Sequence, residues 1–214
     1  MTFVSKIALI VDIVGSRHLT DRAQVQDLIR AEFEHAHRRF PAELPLWATV
    51  GDEFQALYAE LGTALAATAL VRLTLPTDID CRFGIGEGEA REVESSSDGW
   101  SIQDGSAWWR ARDAISTGSR LEAHGQPYLR TWFISGDATM TAAINALLLQ
   151  RDHIISRMKA RERRLAAGLL EGRTQKELAA VERITQPAVS QTLRRSGGTA
   201  LVTGLEQFSS VIPA

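Results

Sequence analysis

The chain has almost none of the residues that cross-link or anchor a protein, and each shortage excludes a class. Among its 214 residues Cys81 is the single cysteine. One thiol cannot close an intrachain disulfide, so a disulfide scaffold is excluded and a reducing cytoplasm is the expected location. Nor is there a Cys/His cluster with zinc spacing. Long hydrophobic runs are missing as well, and without about 18 consecutive apolar residues no membrane span or membrane partner is expected. The first apolar run, IALIV at 7–11, is short and is followed by no small-residue cleavage site, so a secretion signal is not expected either.

Net charge is also small, −2, but it is unevenly spread. Residues 1–150 carry 13 Lys and Arg against 20 Asp and Glu, a net of −7. Residues 151–195 carry 11 against 5, a net of +6. That split predicts an acidic body followed by a small basic module able to bind a polyanion. A solvated helical face with scattered arginines produces the same count.

The stretch VDIVGSRH at 11–18 sets Asp12 at the end of the apolar run and follows it with a turn. A carboxylate closing a strand buried on both faces loses water on one side and needs a partner. It either caps its own loop or binds a metal beside an amide nest able to hold phosphate. Downstream, Val25, Leu28, Ile29, Phe33, Ala36 and Phe40 recur at helical spacing through 22–40. PLWATVGDEFQALY at 45–58 reads as two strands around Gly51-Asp52. Residues 60–73 read as a helix and 79–88 as a strand.

The order strand, helix, strand, strand, helix, strand is that of the ferredoxin-like unit, whose two crossover helices cover one face of an antiparallel sheet. Its first strand is central, and the turn between the second and third strands lies where the first strand ends. Asp12 and Asp52 are therefore expected to be neighbours, with no evident Lys or Arg between them. Two such carboxylates repel unless a divalent cation joins them, which predicts a Mg²⁺ site.

At these residues the sequence resembles known families. DIVGS at 12–16, GDEF at 51–54 and RFGIGEG at 82–88 resemble, in order and spacing, class III nucleotidyl cyclases and, more distantly, GGDEF-type cyclases. The resemblance implies that Asp12 and Asp52 hold metal, and that the turn Val14-Gly15-Ser16, extended to Arg17, holds a nucleotide's phosphates. DGSAWWRARDAI at 104–115, with the basic C-terminal region, is similar to the SatD family over most of the chain. The pattern departs from class III cyclases at one point. Their ribose-orienting Asn and charge-stabilising Arg, about four residues apart, fall on Trp109 and Asp113 in that segment. Losing one such donor can cost about a hundredfold or more, so little or no cyclase activity is expected unless Arg110 or Arg112 substitutes. Of the adjacent Trp108 and Trp109, one is expected to fill core and the other to face a cleft or partner. GEAREVESSSDGWSIQ at 88–103 reads as a polar surface excursion.

After a strand-like stretch at 128–134, a long helical pattern runs from Gly136-Asp137 to Met158. It is expected to join the domains and to offer a homodimer seam, although packing on the body explains the same stripe. Residues 161–195 then read as short helices, ending at Glu171-Gly172 and beginning again at Thr174 and at Thr185-Gln186, with Ala179, Ile184, Val189 and Leu193 apolar. This spacing resembles the helix-turn-helix of bacterial regulators. The resemblance implies that the last helix enters the major groove of double-stranded DNA with Thr185, Gln186, Ser190, Gln191, Arg194 and Arg195. A hairpin used for protein contact is the plainer reading.

Together these features predict an α+β fold: a ferredoxin-like, nucleotidyl cyclase-like body at 1–135, a joining helix at 136–159 and a small all-α helix-turn-helix domain at 160–214. The function expected is a DNA-binding regulator that senses a nucleotide, with Mg²⁺. An active cyclase and an interaction protein with a degenerate cyclase-like fold are the alternatives.

Overall fold

The computed structural model describes residues 5–16, 21–49, 52–95 and 101–211. Its first six elements are β1 (Lys6–Ile13), α1 (Arg22–His37), β2 (Leu44–Ala48), β3 (Phe54–Tyr58), α2 (Leu61–Thr74) and β4 (Cys81–Gly88). The second half holds β5 (Arg91–Ser95), β6 (Ser101–Asp104), α3 (Ser106–Ala123), β7 (Thr131–Ile134), α4 (Ala138–Arg157), α5 (Ala160–Leu170), α6 (Gln175–Glu182), α7 (Gln186–Ser196) and α8 (Gly198–Val211). The main sheet runs β2-β3-β1-β4-β7. Strand β1 pairs antiparallel with β3 and β4, and only β7 is parallel to its neighbour. The first four strands thus take the ferredoxin-like order, with β1 central. Strands β5 and β6 form a separate two-stranded antiparallel ribbon, so the expected polar excursion has regular structure at both ends.

Alternation along β1 divides the interior in two. Ile7, Leu9, Val11 and Ile13 face α1 and α2 within the larger apolar cluster, whereas Ala8 and Ile10 face α3. Helix α1 begins where Asp21 accepts a hydrogen bond from the Gln24 amide, and it buries Val25, Ile29, Phe33 and Ala36. On the opposite face, Gly84, Gly86 and Gly88 of β4 let α3 lie directly on the strand. A Cβ at Gly86 would collide with the Ala107 carbonyl, and one at Gly84 with that of Ala111.

Helix α2 is apolar nearly all round, which requires packing on more than one side. The sheet takes one side and α5 and α8 take the other. One apolar cluster therefore runs from β1 through α2 to Leu165, Val189, Leu193 and Leu205 of the C-terminal helices. Helix α4 is continuous, and its Ile144, Leu148 and Ile155 are buried within the chain while Leu147 and Ile154 are half-buried. Asn145 exchanges two 2.8 Å hydrogen bonds with the Phe133 backbone, closing the edge of β7.

Buried charge locks α4 to the sheet. Asp152, fully buried, accepts from Arg72 at 3.0 Å and Arg151 at 3.1 Å, and from the amides of Arg130 at 2.8 Å and Thr131 at 2.7 Å. Arg151 also donates to Thr68 and to the Leu65 carbonyl, each at 3.1 Å. Among the described residues no helix is long and apolar enough to cross a membrane.

Candidate functional site

The end of β1 gathers the acidic residues singled out in the sequence. Pairing in register sets Val11 opposite Phe54, which brings the residues before β3 beside Asp12. Desolvation pushes the Asp12 carboxyl above its ordinary value; the Arg82 charge opposes this and the nearby Asp52 charge adds to it. The two aspartates therefore interact, as the ferredoxin-like order predicts.

One part of that expectation is corrected: the pair is not free of arginine. Arg82, directly across from Asp12 on β4, donates to it at 3.0 Å, and Arg22 in the first turn of α1 lies 3.3 Å from Asp52. Gln26 donates to Asp52 at 3.5 Å. Arg82 was legible as the residue opposite Asp12 once the strands were paired, whereas Arg22 depends on the path of α1. Among the described residues no group of three or more His, Cys, Asp or Glu is gathered as a metal cluster.

The expected phosphate turn is partly engaged already. The Val14 amide donates to the Asp80 carbonyl at 3.0 Å, which removes it from any nest. Gly15 has φ +69°, a left-handed turn conformation, and is exposed. The Ser16 carbonyl accepts from Arg22 at 3.3 Å. Arg17 lies outside the described residues.

A chain of ion pairs leads from this edge into the interior. Arg82 joins Asp12 to Glu122, Arg130 joins Glu122 to Asp80, and Arg72 joins Asp80 to Asp152. Burial alone would raise the Asp80 carboxyl, but the guanidiniums of Arg72 and Arg130 and the Cys81 amide hold it below its ordinary value.

Helix α3 settles the roles of the paired tryptophans. Trp108 is buried, edge-on to Trp47 at 5.7 Å, while Trp109 is 63% exposed and donates its indole N–H to Asp104 at 3.1 Å. Asp113 lies one helical turn further on and is exposed. Arg110 donates to the Glu87 carbonyl at 2.6 Å, tying α3 to β4, and Arg112 pairs with Glu53 beside Asp52.

In the basic segment, a capping box between Thr174 and Glu177 starts α6, and Arg183, left-handed at φ 54°, ends it. The Thr185 side chain accepts from the Ala188 amide, so it caps α7. Ala179, Val189 and Leu193 are buried, with Ile184 packed against them. Gln186, Gln191, Arg194 and Arg195 are exposed, and Ser190 is half-buried. A shallow depression is lined by Pro187, Ser190, Gln191, Arg194 and Arg195.

Fold and site together define an α+β protein whose mostly antiparallel sheet ends in an acidic edge and whose C-terminal helices present a basic face. Within that class the chain belongs to the SatD family, whose family model matches residues 6–203. Among solved structures it is similar to a bacterial light-regulated adenylyl cyclase, at 18% identity over 62% of this chain and 77% of that one, with a TM-score of 0.40. It is also similar to the adenylyl cyclase CyaB from P. aeruginosa, at 13% identity over 56% of this chain and 71% of that one, with a TM-score of 0.34. No curated protein matches the chain.

Proposed function

We propose that this protein is a DNA-binding regulator in which α6 and α7 form a helix-turn-helix and the α+β body binds a nucleotide. The observation that carries the reading is the solvent-facing side of α7, where Gln186, Gln191, Arg194 and Arg195 stand exposed while Val189 and Leu193 pack inward. Glutamine and arginine are the side chains that pair with base edges in the major groove, and arginine also neutralises phosphate. Three residues, Arg183 to Thr185, separate α6 from α7, a turn length that suits two helices crossing at a steep angle.

The nucleotide half of the reading rests on Asp12 and Asp52. Mg²⁺ is usually held by one or two carboxylates, with phosphate oxygens and waters completing its shell. Two interacting carboxylates, one of them with a raised pKa, fit that requirement. Arg82 and Arg22, which contact them here, would turn toward the phosphates. The ion would neutralise and orient a polyphosphate. Catalysis is not part of this reading, because Trp109 and Asp113 stand where the resemblance to class III cyclases calls for Asn and Arg, and an aspartate repels developing negative charge.

The test is duplex binding by the full chain followed by fluorescence anisotropy across a salt series. Affinity is expected to fall linearly with salt on logarithmic axes as counterions are released. Gln191→Ala should reduce discrimination between sequences, by about 1–3 kcal/mol where a bidentate base contact is lost. Folded protein that binds no duplex at low salt would falsify the DNA reading. Binding of ATP or GTP in Mg²⁺ that survives both Asp12→Asn and Asp52→Asn would remove the metal site.

A further inference from the structure

A cavity of about 360 Å³ opens beside α3 and is walled by Ile10, Gln55, Asp104, Trp109, Arg112 and Asp113. Its floor is the α3-facing side of β1 and β3, where Ile10 and Gln55 stand opposite each other. Asp12 follows Ile10 by two residues and so points to the same side of the sheet, about 7 Å along the strand. The cavity and the acidic edge are therefore adjacent compartments of one face.

The walls suit a flat heterocycle. Trp109 is one of only two large hydrophobic side chains standing exposed among the described residues, and its ring is held in place by the hydrogen bond to Asp104. An exposed indole fixed by its polar end is a preformed stacking surface. Asp113, four residues on and on the same helix face, makes no hydrogen bond or ion pair among the described residues, so its carboxylate is free to accept from an amine. Trp108 lines the cavity from beneath, and its buried indole N–H lacks a hydrogen-bond partner among the described residues. Arg112 stands at the rim, paired to Glu53 next to Asp52, between the cavity and the acidic edge.

We propose that this cavity is the base subsite of the nucleotide: the heterocycle stacks on Trp109 with its exocyclic amine toward Asp113, and the phosphates reach Asp12 and Asp52. The inference rests on the nucleotide reading above and adds the base-recognising residues to it. It predicts a preference for bases that carry an exocyclic amine, those of ATP, GTP and CTP, over UTP, whose base has none.

The experiment is a set of binding titrations on the full chain in Mg²⁺ with ATP, GTP, CTP, UTP and inorganic tripolyphosphate. The parent is compared with Trp109→Ala, Trp109→Phe, Asp113→Ala and Asp12→Asn. Trp109→Ala is expected to weaken ATP about tenfold, in the range of a lost stacking contact, to leave tripolyphosphate unchanged, and to leave the thermal midpoint unchanged because the ring is exposed. Trp109→Phe should recover most of that loss. Asp113→Ala should erase the advantage of the amine-bearing bases over UTP. If ATP binding depends on Asp12 but is indifferent to Trp109→Ala, the base subsite is overturned while the nucleotide reading stands. If no triphosphate binds the folded parent, both fall, whatever the result with DNA.

Discussion

Asp80 and Asp12 sit on the same chain of ion pairs, each touching an arginine at about 3 Å, yet their carboxyl groups shift in opposite directions. Asp80 is enclosed by two guanidiniums and a backbone amide, and burial loses to them. Asp12 has one guanidinium, that of Arg82, which it shares with Glu122, and a backbone hydrogen bond at Ile13, and it stands close to Asp52. The first aspartate is saturated with cationic partners, and the second still lacks positive charge. Contact distance to one arginine does not set the direction of a carboxyl's shift; the balance of charge and burial around it does.

The sharpest way to break the comparison is at the interior end of the chain of ion pairs. Asp152→Ala leaves Arg151 and Arg72 buried without their shared acceptor, a loss expected to cost about 3–5 kcal/mol in urea unfolding. A loss within the range of an ordinary surface substitution would mean that the network is not what locks α4 to the sheet.

The two aspartates should next separate by pH. Asp80 lies below its ordinary 3.8, so the stability it contributes is fully present above that value and is lost as pH falls through the lower folded value. Asp12 lies above 3.8, so its contribution has the reverse sign, present below 3.8 and lost as pH rises through the raised value. Near neutral pH, Asp80→Asn is expected to lower the denaturation midpoint, whereas Asp12→Asn leaves it unchanged or raises it. Equal losses for both variants would remove the distinction.

The smallest effect on stability is expected at the far end of the molecule. Arg194 and Arg195 are exposed, and Arg195 reaches only Glu162 at 3.9 Å. Arg194→Ala and Arg195→Ala should each leave the unfolding free energy within about 0.5 kcal/mol of the parent. If they contact phosphate, each should reduce the salt slope of duplex binding by about 1.

Much of the fold was legible. The period of Val25, Ile29, Phe33 and Ala36 marked α1, where local pattern and final burial agree, and the two runs around Gly51-Asp52 marked the hairpin of β2 and β3. The β5–β6 ribbon was missed because REVES and SIQD each carry a single apolar residue, too few to show an alternating pattern in the sequence. The convergence of Asp12 and Asp52 followed from strand order. Arg82 follows from the same pairing, opposite Asp12, but Arg22 does not, because its reach to Asp52 depends on the path of α1. The Thr185 hydroxyl, expected at DNA, accepts from the Ala188 amide and so caps α7, which leaves its O–H as a donor.

The sequence by itself determined the first six elements of the body, their ferredoxin-like strand order, the acidic and basic halves, and the helix spacing between Thr174 and Arg195. These follow from hydrophobic period, capping residues and charge, all of which are local. Tertiary structure alone decided that α5 and α8 close over α2, that Trp109 rather than Trp108 faces solvent, and that the Asp80 and Asp12 carboxyls shift in opposite directions. Burial and electrostatic balance depend on every neighbour a side chain meets in space, and for these residues most of those neighbours are distant in sequence.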